Sequence, residues 1–277
     1  QIKNGYKTFG PDGSEKQRLN AQLALVKNLV FRNVINDPMA FDSIISTTGS
    51  VFRNPGYLFE QATKNQLSNG LVYTTDSIRF KAAESWQQPI KIEGENSDYG
   101  RNYKYANLYV RSSLGSIFKA NVSDSKYLVV EPTTASNTTQ NEVTFPIPNT
   151  LSGKYNVYCV FVPSNIATET NTKPYKVSFY LSYLNSTGVA IVDAAVDSKN
   201  TVTLPNRLGA TFTSKGSEIT KMYVTQFTFP YCNIIKDKSE SANITMKLKV
   251  KNEVKITETA LFNRTFRVDY IILEPVQ

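Results

Sequence analysis

The sequence predicts a mainly β protein: a β-sandwich over residues 90–277, preceded by a smaller α+β part over residues 1–80. Three observations lead there. Short segments with apolar residues at every second position recur through the C-terminal part, loops rich in Ser, Thr, Asn, Gly and Pro separate them, and helical periodicity is confined to one stretch near the start. The chain has 277 residues, 40% of them apolar, with 16 Tyr and 15 Phe, which supplies a β-rich core without help from disulfides. That length suits one large or two ordinary domains of roughly 100–200 residues.

In chain order, Ser14-Glu-Lys-Gln17 is a capping-box pattern, and Leu19, Leu23, Val26, Val30 and Val34 follow at spacings of three and four. A helix is expected to start near Glu15 and to stop before Asn36-Asp-Pro38. Turn signals come at Thr48-Gly49-Ser50, Asn54-Pro-Gly56 and Ser68-Asn-Gly70, the last leading into a β-branched and aromatic strand, Leu71 to Ile78. Residues 81–89, with the single tryptophan Trp86, read as a connection. Beyond it come strands at Ile90 to Asn96, Tyr127 to Glu131, Glu142 to Ile147, Tyr155 to Val162, Lys176 to Leu184, Met222 to Phe229, Ile244 to Val250 and Phe266 to Leu273. No internal repeat of fixed period is present.

The absence of histidine excludes Ser-His-Asp, Cys-His and His-ligated metal chemistry. Carboxylate-only hydrolysis survives by residue type, at Glu131 and Glu142, but nothing singles these two out, and the reading is non-enzymatic. Cys159 and Cys232 are too few for a zinc site or a disulfide framework. Cys159 lies in an apolar strand and reads as a buried thiol, with a bridge to Cys232 left open. The net charge of +8 is spread singly along the chain and does not point to nucleic acid. Its densest group is Lys247, Lys249, Lys251 and Lys255; the first three alternate with inward-facing Ile244, Met246, Leu248 and Val250, which reads as a solvated strand face, at a sheet edge that the lysines guard. No apolar run approaches the roughly 20 residues that a membrane-spanning helix needs. Asn-x-Ser/Thr triplets at Asn121, Asn137, Asn185, Asn243 and Asn263 arise readily in a chain of this composition.

On the first sandwich strand, Ile90 and Ile92 face one way while Glu93 and Glu95 share the other face, roughly 7 Å apart. With Asp269 from the last strand, they form a set of hard oxygen ligands that a calcium ion could use. The same acids also fit solvent-facing strand positions or partners of Lys and Arg.

Ile92-Glu-Gly-Glu-Asn96, Leu151-Ser-Gly-Lys-Tyr-Asn-Val-Tyr158 and Val268-Asp-Tyr-Ile271 resemble the first, a central and the last strand of galactose-binding-like jelly rolls, in particular the family 6 and 35 carbohydrate-binding modules. The resemblance covers about residues 88–277, and Gly94 stands where that family usually has Ala. It implies a structural calcium site at Glu93, Glu95 and Asp269. The N-terminal part resembles the C-terminal half of a fasciclin domain over residues 14–80, through Leu29-Val-Phe-Arg-Asn-Val-Ile35 and the closing Ser68-Asn-Gly-Leu-Val-Tyr-Thr-Thr-Asp76. Asn33 stands where that family often has His. The first half of such a domain is lacking, so the native polypeptide is expected to extend upstream of Gln1.

Sugar recognition usually needs aromatic faces beside amides, carboxylates or Arg. Asp98-Tyr-Gly-Arg-Asn-Tyr-Lys-Tyr-Ala-Asn-Leu-Tyr109 offers that mixture in what reads as a loop, so Tyr99, Arg101, Asn102, Tyr103 and Tyr105 are the candidate ligand contacts. The pairing of the two parts resembles surface lipoproteins of gut Bacteroidetes that accompany SusC and SusD-type outer-membrane importers. It implies a cell-surface protein, held by a lipid anchor upstream of Gln1, that binds glycan or contacts surface proteins such as a SusC/SusD-type transporter. A structural or adhesive subunit with no glycan site is the alternative.

Overall fold

The structure is a computed structural model, and it describes residues 26, 29–77, 79, 88–134, 140–233, 235 and 237–276. These divide into two compact units, with the division at Gln88/Pro89.

In the N-terminal unit, β1 (Ser43–Ile45) and β2 (Val51–Arg53) pair antiparallel, a short helix α1 (Pro55–Leu58) follows, and β3 (Thr63–Leu67) pairs with β4 (Gly70–Thr74). Ile35, Ile44, Phe52 and Leu58 form a small core, with Leu29, Phe31 and Phe59 packed against it. The helix expected from Glu15 lies largely outside the described residues. Its described end, residues 29–36, is not helical but turn, bend and a single bridge between Phe31 and Ser46. The backbone there pairs sideways, with Thr47 N donating to Val30 O, and Tyr73 Oη donates to Ile35 O at 2.6 Å. Once these groups are satisfied across the unit, the i to i+4 ladder has no claim on them. Asn33 is exposed in this bend, and Trp86 lies outside the described residues.

The C-terminal unit carries β5 (Ile90–Glu93), β6 (Asn102–Lys104), β7 (Ala106–Ser112), β8 (Lys126–Pro132), β9 (Glu142–Pro146) and β10 (Gly153–Phe161). It continues with β11 (Lys176–Leu184), β12 (Ala190–Val196), β13 (Val202–Pro205), β14 (Phe212–Thr213), β15 (Thr220–Phe229), β16 (Lys247–Asn252) and β17 (Phe266–Pro275). One sheet has the order β15-β10-β17-β8-β7, with β5 also on β17, and the other the order β13-β12-β11-β16-β9-β6, with β14 on β11. Val157, Phe161, Phe266 and Leu273 from the first sheet and Val143, Phe179, Leu181 and Leu248 from the second are at most 1% exposed and share one core, so the unit is a β-sandwich. Burying each such side chain contributes roughly 1.5–3 kcal/mol.

β17 organises the first sheet. Along one side it pairs with β8 over Phe266–Val268 and then with β5 over Tyr270–Leu273, so Asp269 sits where the two partners change over. On its other side Phe161 faces Val268 but Cys159 faces Ile271, one residue more on β17 than on β10. This is a bulge, and it shifts the core alternation from Phe266 and Val268 to Ile271 and Leu273.

Three expectations are corrected. The segment 102–112 is not a loop: β6 joins one sheet and β7 the other, and the chain turns between them at Tyr105, whose φ of 52° is left-handed. Edge strands pair on one side only, and here Ala106 and Leu108 turn inward while Asn107, Tyr109 and Arg111 stay exposed, a weak alternation in the sequence. Second, the lysine-bearing β16 is an interior strand between β11 and β9. Two of its three lysines are neutralised rather than solvated: Lys249 lies 2.5 Å from Asp193 and 3.6 Å from Glu142, and Lys251 lies 3.2 Å from Glu253. Third, β5 ends at Glu93, so Glu95 belongs to the following turn. Cys159 and Cys232 are both buried free thiols. Glu131 and Glu142 fall on different sheets.

Candidate functional site

The carboxylates gather at the end of β5. Gly94 lets the chain close on β17: its N–H donates to Asp269 O at 2.6 Å, and a Cβ at this position would meet Val268 O and, at 2.7 Å, Asp269 O. Only a residue without a side chain fits so near another backbone. Immediately after it, Arg101 donates from Nη1 to Gly94 O at 2.6 Å and from Nη2 to Glu95 O at 2.7 Å. Burial lowers the pKa of this guanidinium, and the nearby Glu95 charge works the other way. Arg101 therefore fixes the turn that carries Glu95.

Glu93, Glu95 and Asp124 each bring a carboxylate oxygen within 4.8 Å of the others. Asp124 was not among the sequence candidates. It stands in a single 3-10 turn (Ser123–Ser125) with φ 48° and ψ 16°, a left-handed conformation that Asp tolerates better than most residues. The Ser-Asp-Ser run signals a turn, but only the fold brings that turn beside β5.

Asp269 is fully buried and lies against the same turn, its two carboxylate oxygens accepting from Ser123 N at 3.1 and 3.3 Å. Burial pushes its pKa up to about 7, the Ser123 N–H works against this, and the charges of Glu93 and Glu95 add to the rise. Glu95 is also raised, mainly by burial and further by the Glu93 and Asp124 charges. Lys91 lies 2.6 Å from Glu93 Oε1 and 4.4 Å from the centre of the Tyr270 ring, and it also donates to Ser123 Oγ. Burial tends to lower its pKa, but the Glu93 hydrogen bond and the surrounding negative charge outweigh it, so the ammonium is held charged. Even so, Oε2 of Glu93 and Oε2 of Glu95 are buried with no hydrogen-bond partner among the described residues. Lys91, even with Lys126 near Glu95, leaves these carboxylate oxygens unsatisfied.

The candidate ligand contacts separate into two groups. Tyr99, Arg101 and Asn102 stay together: a cavity of about 240 Å³ is lined by Tyr99 and Arg101 with Glu93, Asn96, Pro148 and Asn149, and an adjoining one of about 250 Å³ by Tyr99, Arg101 and Asn102 with Thr144, Ser241 and Lys247. An Asx turn, Asp98 N to Asn96 Oδ1 at 2.7 Å, and Gly100 at φ 70° shape this loop. Tyr103 and Tyr105 line neither cavity and are each 55% exposed, at the outer edge of the second sheet and at the crossing between the sheets. Glu93 thus joins the carboxylate cluster to the Tyr99 cavity.

No family model and no curated protein matches the chain. Among solved structures, it is similar to a C-terminal family 22 carbohydrate-binding module of Clostridium thermocellum, with 13% identity over 63% of this chain and 85% of that one and a TM-score of 0.34. It is similar to a family 36 carbohydrate-binding module in complex with calcium and xylotriose, with 14% identity over 66% of this chain and 98% of that one and a TM-score of 0.30. A family 35 carbohydrate-binding module from Clostridium thermocellum shows 9% identity over 68% of this chain and 99% of that one, with a TM-score of 0.30.

Proposed function

We propose that the chain is a non-enzymatic cell-surface binding protein whose C-terminal sandwich recognises glycan in the cavities around Tyr99, beside a cation-binding carboxylate cluster. The observation that carries the reading is the juxtaposition of Tyr99 with Arg101, Asn96, Asn102 and Asn149 in two adjoining cavities. An aromatic face for the apolar side of a sugar ring and amides for its hydroxyls are what such a ligand asks for. Arg101 is a positioning residue, since two of its donors already hold the turn at Gly94 and Glu95. Tyr103 and Tyr105 extend the surface at the rim.

The donor set fits a hard divalent cation such as calcium. Its oxygens are all carboxylate, two of them are buried without partners, and clustered negative charge is what such an ion neutralises. Glu93, Glu95 and Asp124 would hold it, with Asp269 behind them bracing the Ser123–Ser125 turn. A bound cation would supply the positive charge that fixes the turn carrying Glu95, and through it the loop to Arg101. Lys91 competes for the Glu93 carboxylate and would have to give way.

The finer reading rests on resemblance: a fasciclin-like N-terminal unit joined to a galactose-binding-like sandwich, as in lipid-anchored accessory proteins of SusC and SusD-type uptake systems at the outer-membrane surface. Affinity electrophoresis of the full chain through gels containing plant, host or microbial glycans tests the binding reading. Retardation by at least one glycan is expected, reduced at least tenfold in apparent affinity by Tyr99→Ala. Normal migration on every glycan would sink it.

A further inference from the structure

On the outer face of the first sheet, away from the Tyr99 cavities, a groove of about 370 Å³ is lined by Tyr109, Arg111, Tyr127, Glu131, Asn171 and Arg267, among others. Cross-strand register builds it: Tyr109 lies opposite Val129, which lies opposite Arg267, and Arg111 lies opposite Tyr127. Arg267 is 9% exposed. Nη1 donates to Tyr175 Oη at 3.3 Å, Nε has no partner, and no carboxylate among the described residues pairs with the guanidinium. On the second sheet Lys249, the cation with the least exposed side chain among the ion pairs there, has Asp193 and Glu142 beside it. A cation removed from water without a counter-charge is costly, so an anion arriving from outside the chain would gain by supplying the missing charge.

We infer that this groove is a second ligand site that takes the carboxylate of an acidic sugar residue, with Arg267 on its floor. A guanidinium presents its donors in a planar fork that matches two carboxylate oxygens. Arg111, stacked over the Tyr109 ring at 4.9 Å, adds a second positive charge at the rim. Asn171 and Glu131 offer polar groups for sugar hydroxyls, and the open groove has the size of a small-ligand site. The anion follows from the groove alone. The sugar that carries it rests on the glycan-binding reading above.

The test is a titration of the full-length chain, labelled with 15N, by sodium glucuronate, glucose and glucose 6-sulfate, followed at the arginine Nε–H resonances. Glucuronate should shift the Arg267 signal saturably, and glucose at the same concentration should leave it in place. Arg267→Met should abolish the response while Tm stays within about 2 °C or rises, because an unpaired buried charge gives way to an apolar side chain of similar length. Arg111→Ala, at an exposed position, should weaken glucuronate about fivefold without touching the fold. Equal responses to glucose and glucuronate, a response to the sulfate alone, or no response at Arg267 would each overturn the assignment, as would an Arg267→Met protein that is strongly destabilised. These outcomes are separable from the Tyr99 reading, because retardation on neutral glycans that Tyr99→Ala abolishes stands whatever happens in the groove.

Discussion

Two buried charges lie two residues apart on β17, and they are treated in opposite ways. Asp269 is surrounded by more negative charge than its neighbours neutralise: Glu93, Glu95 and Asp124 come together beside it, with Lys91 paired to Glu93 and Lys126 near Glu95. Arg267 has the reverse problem, a guanidinium with one tyrosine hydroxyl and no acid among the described residues. Both belong to one strand and lie two positions apart. The fold sets them in different surroundings, because Arg267 lies on the stretch paired with β8, whereas Asp269 sits where β17 passes from β8 to β5 and bulges. The lesson is that charge imbalance inside this sandwich is local, and it changes sign within two residues of one strand.

The strongest way to break the comparison is to damage the junction that separates the two charges. Gly94→Ala drives a methyl group into the Val268 and Asp269 carbonyls, which are backbone and cannot swing away. A loss of about 3 kcal/mol is expected from overpacking of this kind, read as a lower denaturant midpoint, with loss of any calcium response. Unchanged stability would show that β5 does not depend on that close approach.

Next in size is a pH effect of opposite sign to the usual one for an acid. Because the Asp269 pKa is raised in the folded state to about 7, the folded protein binds this proton more tightly than the unfolded chain. The stability it contributes is complete below the ordinary Asp range near pH 4 and is lost as pH rises through about 7. In the presence of a chelator, thermal unfolding should therefore weaken between pH 4.5 and about 8, by on the order of 2 kcal/mol once partial solvation is allowed for. Asp269→Asn should flatten that slope, and millimolar calcium should restore stability to the unsubstituted protein at pH 8. A slope that Asn leaves untouched would move the effect to another group.

A smaller effect sharpens the contrast with a partnered cation. Lys249→Met strands Asp193 and Glu142 without their ammonium and should cost about 1–2 kcal/mol, whereas Lys221→Met removes an exposed pair with Glu274 and should change stability by less than about 0.5 kcal/mol. Matching losses at the two positions would show that burial does not decide the worth of these lysines.

Much of the sandwich is legible in the sequence. β11 is found over the whole of Lys176–Leu184, and β8, β9, β10, β15 and β17 differ at their ends by a few residues or fewer, because strands buried against a core carry apolar residues at every second position. β6, β7, β12, β13 and the two-residue β14 were not expected from the sequence. Three of these, β6, β7 and β13, are sheet edges, and β12 places Val192 at 61% exposure, so alternation there is blurred by side chains with only one demanding face. At the site, Glu93, Glu95, Tyr99, Arg101 and Asn102 were candidates from residue type, yet the roles of Arg101 as a clamp and of Asp124 as a third clustered acid had no signal in their own neighbourhoods.

What the sequence determined by itself is the class of the fold and the chemistry it excludes, since periodicity and composition act locally and the lack of histidine is a fact of composition. Only the tertiary structure decided which charges meet. Asp124 joins Glu93 and Glu95 across some thirty positions of chain, and Arg267 meets a tyrosine hydroxyl but no acid among the described residues, because pairing partners, bulges and left-handed turns set side-chain directions that no spacing along the chain encodes.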